Sequence, residues 1–160
     1  MEIITFKHEP IDTIDPIKEG RAPDFVLHDL HGKPVKLSNL NKTVLISVVP
    51  DINTEVCSMQ TRFFNEEAAR NNDINFLTVS NNTKQELENW CAAEGVNMTI
   101  LPDDGTFGNA YRLRVFGGPI PGRLARAIYV VRGGNIVHSQ IVNEISDEPN
   151  YQQALAAAHA

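Results

Sequence analysis

The chain has 160 residues, of which 42% are hydrophobic and 21% charged, a composition that suits a globular protein and argues against disorder. Its net charge of −6 and its lack of a lysine and arginine cluster argue against nucleic-acid binding, and no apolar stretch approaches membrane-spanning length. We expect one domain over residues 1–160 and, since no targeting segment is recognisable, a cytoplasmic location.

The first half of the chain predicts strands around one long helix. Residues 1–14 have the pattern of two short strands, and residues 15–23 that of a loop. The β-branched apolar run 43–49 predicts the central strand of a sheet. Apolar spacing over Glu55–Arg70 predicts an amphipathic helix, and Ile74–Ser80 predicts the next strand, so the three segments should form a parallel βαβ unit.

The second half predicts a helix, weaker elements and a hairpin. Thr83 and Glu86 form a capping-box pattern ahead of a helix over Lys84–Glu94. A short strand is expected at 99–101, a short helix at 107–111, an antiparallel hairpin from 125–131 and 135–143, and a final helix over 149–160 with Pro149 in its first turn. This order predicts an α/β fold with a central mixed β-sheet flanked by helices, and it resembles a thioredoxin-like fold with an N-terminal β-hairpin extension.

Cys57 lies where a cysteine becomes reactive. The strand before it breaks at Pro50, and Thr54 is placed to be the N-cap of the following helix. Unpaired N–H groups and the helix dipole at such a start favour a thiolate, which is the nucleophilic form of cysteine. Cys91, by its helical spacing, would by itself be a core residue.

The acidic neighbours of Cys57, Asp51 and Glu55, oppose a thiolate, so we expect a cation from elsewhere in the fold. Arg62 and Arg126 are the candidates, and Arg126 begins a run that otherwise belongs in the core. With only two cysteines, no C-x-x-C pair and scattered histidines, we expect neither a metal nor another cofactor.

The pattern Pro50-x-x-x-Thr54-x-x-Cys57 resembles the active-site motif of the peroxiredoxins. The segments around Trp90-Cys91, Leu124-Ala125-Arg126-Ala127 and Glu144-Ile145 resemble, more narrowly, the bacterial thiol peroxidases with an atypical two-cysteine mechanism. This resemblance covers nearly the whole chain. The sequence departs from the usual pattern of that branch at residues 82–85 and 89, which flank Cys91.

The resemblance implies an antioxidant enzyme that reduces hydrogen peroxide and organic hydroperoxides. It implies that Cys57 is the peroxidatic cysteine, that Thr54 orients the peroxide, that Arg126 stabilises negative charge and that Pro50 shields the thiolate. Cys91 would be the resolving cysteine of an intramolecular disulfide, which thioredoxin would reduce. A homodimer is also expected from the resemblance.

Two other interpretations remain open. A disulfide oxidoreductase of the thioredoxin type is disfavoured because its cysteines should form a C-x-x-C pair. A redox-sensing or binding module would register oxidation of Cys57 without turnover. A Cys57–Cys91 disulfide also makes a geometric demand, since two packed helices must unwind locally to bring the Cα atoms within about 4.4–6.8 Å.

Overall fold

The chain forms twelve strands, four α-helices and one short 3₁₀ helix at Leu37–Asn39 in a computed structural model that describes residues 1–160. The strands are Glu2–Phe6 (β1), Glu9–Ile14 (β2), Gly20–Arg21 (β3), Val26–His28 (β4), Pro34–Lys36 (β5), Thr43–Val48 (β6), Ile74–Ser80 (β7), Thr99–Pro102 (β8), Arg114–Val115 (β9), Arg123–Leu124 (β10), Ala127–Arg132 (β11) and Asn135–Ile141 (β12). The helices are Glu55–Arg70 (α1), Lys84–Glu94 (α2), Thr106–Tyr111 (α3) and Tyr151–His159 (α4).

A six-stranded mixed sheet in the order β3-β12-β11-β6-β7-β8 forms the centre of the fold. Strands β6, β7 and β8 are parallel, whereas β11 is antiparallel to both β6 and β12. The parallel unit β6-α1-β7 is confirmed, and β6 is buried along almost its whole length because both faces of the sheet are covered. Strands β1 and β2 form a separate N-terminal hairpin, as the sequence predicted.

The two helices that carry the cysteines begin and end as predicted. Thr54 is the N-cap of α1. The capping box of α2 is complete, since the Thr83 side chain accepts from Glu86 N and the Glu86 side chain accepts from Thr83 N. Gly95 ends α2 at φ +72°, a backbone angle that favours glycine.

Three predictions differ from the structure by two residues or more. Pro149 lies before α4, because the Asn150 side chain accepts from Gln153 N at 3.0 Å and so takes the N-cap position. The hairpin β11–β12 is shorter than predicted at its open end, where residues 125–126 and 142–143 are outside the strands. The expected loop at 15–23 contains β3, which pairs with the start of β12.

The core has two parts, one on each face of the sheet. Val44, Ile46 and Val48 of β6 belong to one, together with the N-terminal hairpin and α3, whereas Leu45 of the same strand belongs to the other, together with α1, α2 and α4. Cys57 is buried in this second part. None of the helices has the length and apolar character needed to cross a membrane.

Candidate active site

Cys57 lies in the first turn of α1, where backbone N–H groups have no acceptor within the helix. The chain leaves β6 after Val48, bends through Pro50 and enters the helix at Glu55. The residue four positions before Cys57 is Asn53, which lies outside the helix before the N-cap, and the Cys57 N–H has no backbone acceptor. The Cys57 side chain is only 1% exposed. A buried sulfur therefore lies beside a free N–H donor at the positive end of a helix dipole.

Thr54 does not cap α1 with its side chain. Its hydroxyl instead donates to the Asp51 carbonyl oxygen at 2.8 Å, and its own carbonyl oxygen accepts from Ser58 N at 2.9 Å. With its proton directed to Asp51, Thr54 Oγ1 is left as a hydrogen-bond acceptor for another molecule.

The loop before α1 is held by Asn82, a residue that we did not predict as part of the site. Asn82 Oδ1 accepts from Ile52 N at 2.8 Å, and Asn82 Nδ2 donates to Asp51 Oδ1 at 2.9 Å. Arg123 Nη2 lies 4.0 Å from the other Asp51 oxygen. These contacts turn the Asp51 carboxylate toward an amide and a guanidinium, which offsets the negative charge that we expected to oppose a thiolate. Asn82 lies two residues after the end of buried strand β7, and this position was the available signal, since the ends of neighbouring parallel strands lie at the same edge of the sheet.

Arg126 is the cation that lies in the same pocket as Cys57. Its side chain is only 2% exposed, with Nη1 donating to Gln60 Oε1 at 2.9 Å and Nη2 donating to the Ile145 carbonyl oxygen at 2.7 Å. Its Nε has no partner in the protein. Buried Gln60, which sequence analysis also missed, donates in turn to Ser47 Oγ at 2.8 Å. Gln60 therefore fixes the guanidinium without neutralising its charge.

Arg62, the other candidate cation, has a different position. It forms an ion pair with Glu94 at 3.3 Å and lines a separate surface depression. Its charge is already paired at the surface, where an ion pair is weak and screened.

Four of the five predicted site residues line one pocket of about 310 Å³. These are Pro50, Thr54, Cys57 and Arg126. Most of the remaining wall is apolar and comes from Phe6, Val56, Pro119, Ile120 and Ile145. The pocket thus joins a thiol, a buried cation and a hydroxyl acceptor within a largely apolar enclosure.

Cys91, the fifth predicted residue, does not line that pocket. It is half-buried on α2 and faces another pocket, which Glu88 and Met98 also line. Burial raises the pKa of the Cys91 thiol, and the negative charge of Glu88 raises it further. Both cysteines are free.

Direct contacts hold α1 and α2 together in this state. Trp90 Nε1 donates to Ser58 Oγ at 2.8 Å, and Nδ2 of Asn53, in the loop just before α1, donates to Glu86 Oε2 at 2.5 Å. The ion pair between Arg62 and Glu94 adds a third connection. The two helices must therefore lose contacts before their cysteines can meet.

Two further features bear on cofactors and ligands. No three His, Cys, Asp or Glu residues lie close enough together to hold a metal ion. A larger groove of about 630 Å³ lies on the opposite side of the fold, beside Arg21, Asp24 and Lys42, but contains neither cysteine.

Comparison with solved structures shows a thioredoxin-like fold. A peroxiredoxin-like protein from Aquifex aeolicus superposes with a TM-score of 0.88 at 25% identity, covering 99% of this chain and 96% of that one. A thiol peroxidase from Chromobacterium violaceum superposes with a TM-score of 0.84 at 17% identity and the same coverage of both chains.

Comparison of sequences shows the family. Residues 18–155 match the Redoxin family. A thiol peroxidase from Listeria monocytogenes is 40% identical, with 99% of this chain and 98% of the relative aligned, and the thiol peroxidase from Bacillus subtilis is 35% identical, with 100% and 98% aligned. The chain therefore belongs to the redoxin family and, within it, to the thiol peroxidases, enzymes that reduce peroxides at the expense of thiols.

Proposed function

We propose that this thiol peroxidase reduces hydrogen peroxide and organic hydroperoxides through a disulfide cycle between Cys57 and Cys91. The observation that carries the proposal is the common pocket of Cys57, Thr54, Arg126 and Pro50. It supplies a nucleophile, a hydrogen-bond acceptor and a positive charge around one enclosed space.

The first step oxidises Cys57. Its thiolate attacks one peroxide oxygen, the O–O bond breaks, and the product is a Cys57 sulfenic acid. The electron pair of the O–O bond leaves with the other oxygen, which takes up a proton to become water or an alcohol. Sulfur loses two electrons and the peroxide gains them, so no metal or organic cofactor is required.

The neighbouring groups suit this step. The Arg126 guanidinium stabilises the thiolate and the negative charge that develops on the leaving oxygen, and its unpartnered Nε is a free donor for that purpose. The Cys57 N–H can donate to the attacked oxygen, while Thr54 Oγ1 can accept the hydroperoxide proton and so orient the O–O bond. Pro50 covers the sulfur without adding a backbone donor.

The apolar wall supports organic hydroperoxides as substrates. The side chains of Phe6, Ile120 and Ile145 offer contacts to a hydrocarbon group, whereas hydrogen peroxide can use only the polar groups.

The second step requires a conformational change. The Cys91 sulfur attacks the Cys57 sulfenic sulfur, the S–S bond forms and water leaves. Since Cys91 faces a different pocket, α1, α2 or both unwind first and break contacts such as that between Trp90 and Ser58. Restricting Cys91 until this unwinding occurs keeps it from competing for the peroxide.

The reductant and the assembly belong to the same proposal. We propose that thioredoxin reduces the disulfide, that the protein is a cytoplasmic homodimer and that residues 1–160 form one domain. The resemblance to bacterial thiol peroxidases supports these points.

A coupled peroxidase assay with thioredoxin tests the cycle. Cys57→Ser should abolish turnover, whereas Cys91→Ser should still consume one equivalent of peroxide but form no internal disulfide. The intact mass after one equivalent should fall by about 2 units in the wild type and rise by about 16 units in Cys91→Ser. Full activity of Cys57→Ser would refute the proposal, and a single stoichiometric consumption by the wild type would favour a redox sensor.

A further inference from the structure

The N-terminal hairpin ends beside the Cys57 pocket. Phe6, the last residue of β1, is one of the apolar residues that line the pocket. The two residues that turn the chain into β2, Lys7 and His8, have φ values of +51° and +69°. Positive φ at two consecutive residues makes a tight hairpin turn but is unfavourable for residues with a Cβ atom. The conformation of this turn therefore needs outside support.

That support comes from Glu144, which is only 8% exposed. Its Oε1 accepts from His8 N at 2.7 Å and from Thr5 Oγ1 at 2.9 Å. Its Oε2 accepts from Ser146 N at 3.1 Å, from Ser146 Oγ at 2.5 Å and, more weakly, from Lys7 N at 3.3 Å. Successive backbone N–H groups in a turn form an anion-binding concavity, and here a carboxylate of the same chain fills it.

The backbone around Glu144 is joined to the hairpin as well. Thr5 N donates to the Asn143 carbonyl oxygen at 2.7 Å, and Ile145 N donates to the Thr5 carbonyl oxygen at 3.0 Å. The Ile145 carbonyl oxygen in turn accepts from Arg126. Residues 143–145 therefore bind both the hairpin and the side chain of Arg126.

The second strand of the hairpin reaches the other wall of the pocket. A Cβ atom on Gly117 would lie 1.8 Å from the Ile11 carbonyl oxygen, so the two backbones are in direct contact. Phe116 N also donates to Asp12 Oδ2 at 2.8 Å. The residues that follow, Pro119 and Ile120, line the pocket. The hairpin consequently sets the spacing of two pocket walls.

We propose that Glu144 is a positioning residue of the peroxidase reaction and that the hairpin it holds, through Phe6, determines the preference for organic hydroperoxides over hydrogen peroxide. This inference rests on the proposed function. Glu144 is not among the residues that line the pocket, and it acts through Phe6.

Glu144→Gln is the informative substitution. A glutamine keeps the shape of the side chain but replaces one acceptor oxygen by an NH₂ donor. Every group that faces either Glu144 oxygen donates a hydrogen bond to it. The NH₂ group of the glutamine would therefore meet a donor whichever way the side-chain amide is turned. The hairpin tip should then move away, whereas the hydrophobic core of the protein is unchanged.

The assay compares kcat/KM for cumene hydroperoxide and hydrogen peroxide, with dithiothreitol as reductant so that thioredoxin is not involved. In Glu144→Gln we expect the ratio of the two values to fall about fivefold, because the hydrocarbon group loses its contact with Phe6 while hydrogen peroxide has no such contact. Phe6→Ala should lower the ratio by a similar factor. The double variant should lower it no further, since both changes remove one interaction.

The matched control is Asp24→Asn. Asp24 also accepts from two backbone N–H groups and one hydroxyl, those of Phe25 and Ser38, but on the far side of the fold. Its ratio should stay within about twofold of the wild type even if its melting temperature falls. If the ratio falls equally in Asp24→Asn, the effect of Glu144→Gln is explained by general destabilisation, and the inference is overturned.

Each remaining outcome decides the question. A folded Glu144→Gln protein with an unchanged ratio, or additive losses in the double variant, would overturn the inference. If Glu144→Gln does not fold, Thr5→Val decides, since it removes one donor to Glu144 and should lower the ratio about twofold, with an unchanged ratio as the refuting result. A wild type that turns over neither peroxide would instead refute the proposed function itself.

Discussion

Replacing Gln60 by leucine tests how far Arg126 depends on its neighbour. Gln60 is fully buried and makes three hydrogen bonds: it accepts from Arg126 Nη1 at 2.9 Å and donates to Ser47 Oγ at 2.8 Å and, more weakly, to the Val48 carbonyl oxygen at 3.4 Å. Leucine would leave Arg126 with only one hydrogen bond, to Ile145, and an unsatisfied hydrogen bond to a charged group costs about 1.5–3 kcal/mol. The lost donor to Ser47 adds about 1 kcal/mol, and burying the leucine recovers a similar amount. We therefore expect a net loss of about 2 kcal/mol of unfolding free energy.

The same substitution should slow the peroxide reaction. A guanidinium released from Gln60 no longer faces the Cys57 pocket in one orientation, and loss of such preorganisation should lower kcat/KM for hydrogen peroxide about 10-fold. Thermal unfolding should show a melting temperature lower by about 4–8 °C. The control is Gln140→Leu, which also removes three hydrogen bonds but on β12, away from the pocket. A Gln60→Leu rate within about twofold of the wild type would refute the idea that Gln60 positions Arg126.

Two other measurements follow from the contacts described above. Trp90, the single tryptophan, donates to Ser58 between the two cysteine-bearing helices, so its fluorescence should change when peroxide oxidises the wild type, and the phase that reports disulfide formation should be absent in Cys91→Ser. Burial raises the pKa of Glu144, but hydrogen bonds from Ser146, His8 and Thr5 outweigh it and lower the pKa from 4.5 to about 2. Because the folded-state pKa is lowered, this carboxylate stabilises the protein above about pH 4.5, and the stabilisation is lost as the pH falls toward about 2. Glu144→Gln should remove that part of the acid dependence in denaturation curves, and an unchanged dependence would contradict the assignment.

Local signals explain why the cysteine-bearing helices were predicted so closely. Thr83 and Glu86 cap α2 through bonds within four residues, and Gly95 ends it with a backbone angle that other residues disfavour. Strand β3 has two residues and depends on pairing with β12, a contact from the other end of the chain. The two residues of β3 carry no sequence signal that indicates this pairing.

In the site, too, residues with a local sequence signal were predicted and residues that depend on long-range contacts were not. Cys57 stood out because strand, proline, threonine and helix start are adjacent in sequence, and Arg126 because a charge interrupts a core run. Gln60 and Asn82 did not, because each resembles an ordinary polar residue until a partner from another element is known. The role of Gln60 depends on its hydrogen bond with Arg126, 66 positions away, and the role of Asn82 depends on its hydrogen bond with Ile52, 30 positions away. A residue that positions another residue can be recognised only from its contacts, and those contacts are known only once the fold is known.

The contacts between α1 and α2 have a consequence for redox potential. In the proposed cycle they exist in the dithiol form and are broken in the disulfide form, so their free energy stabilises the reduced protein alone. Losing about 3 kcal/mol of such contacts, among them the Trp90–Ser58 hydrogen bond, raises the reduction potential by about 60 mV. In that proposed cycle the packing of the two helices makes the disulfide easier for a dithiol to reduce, and a surface substitution that weakened the contacts would lower the reduction potential.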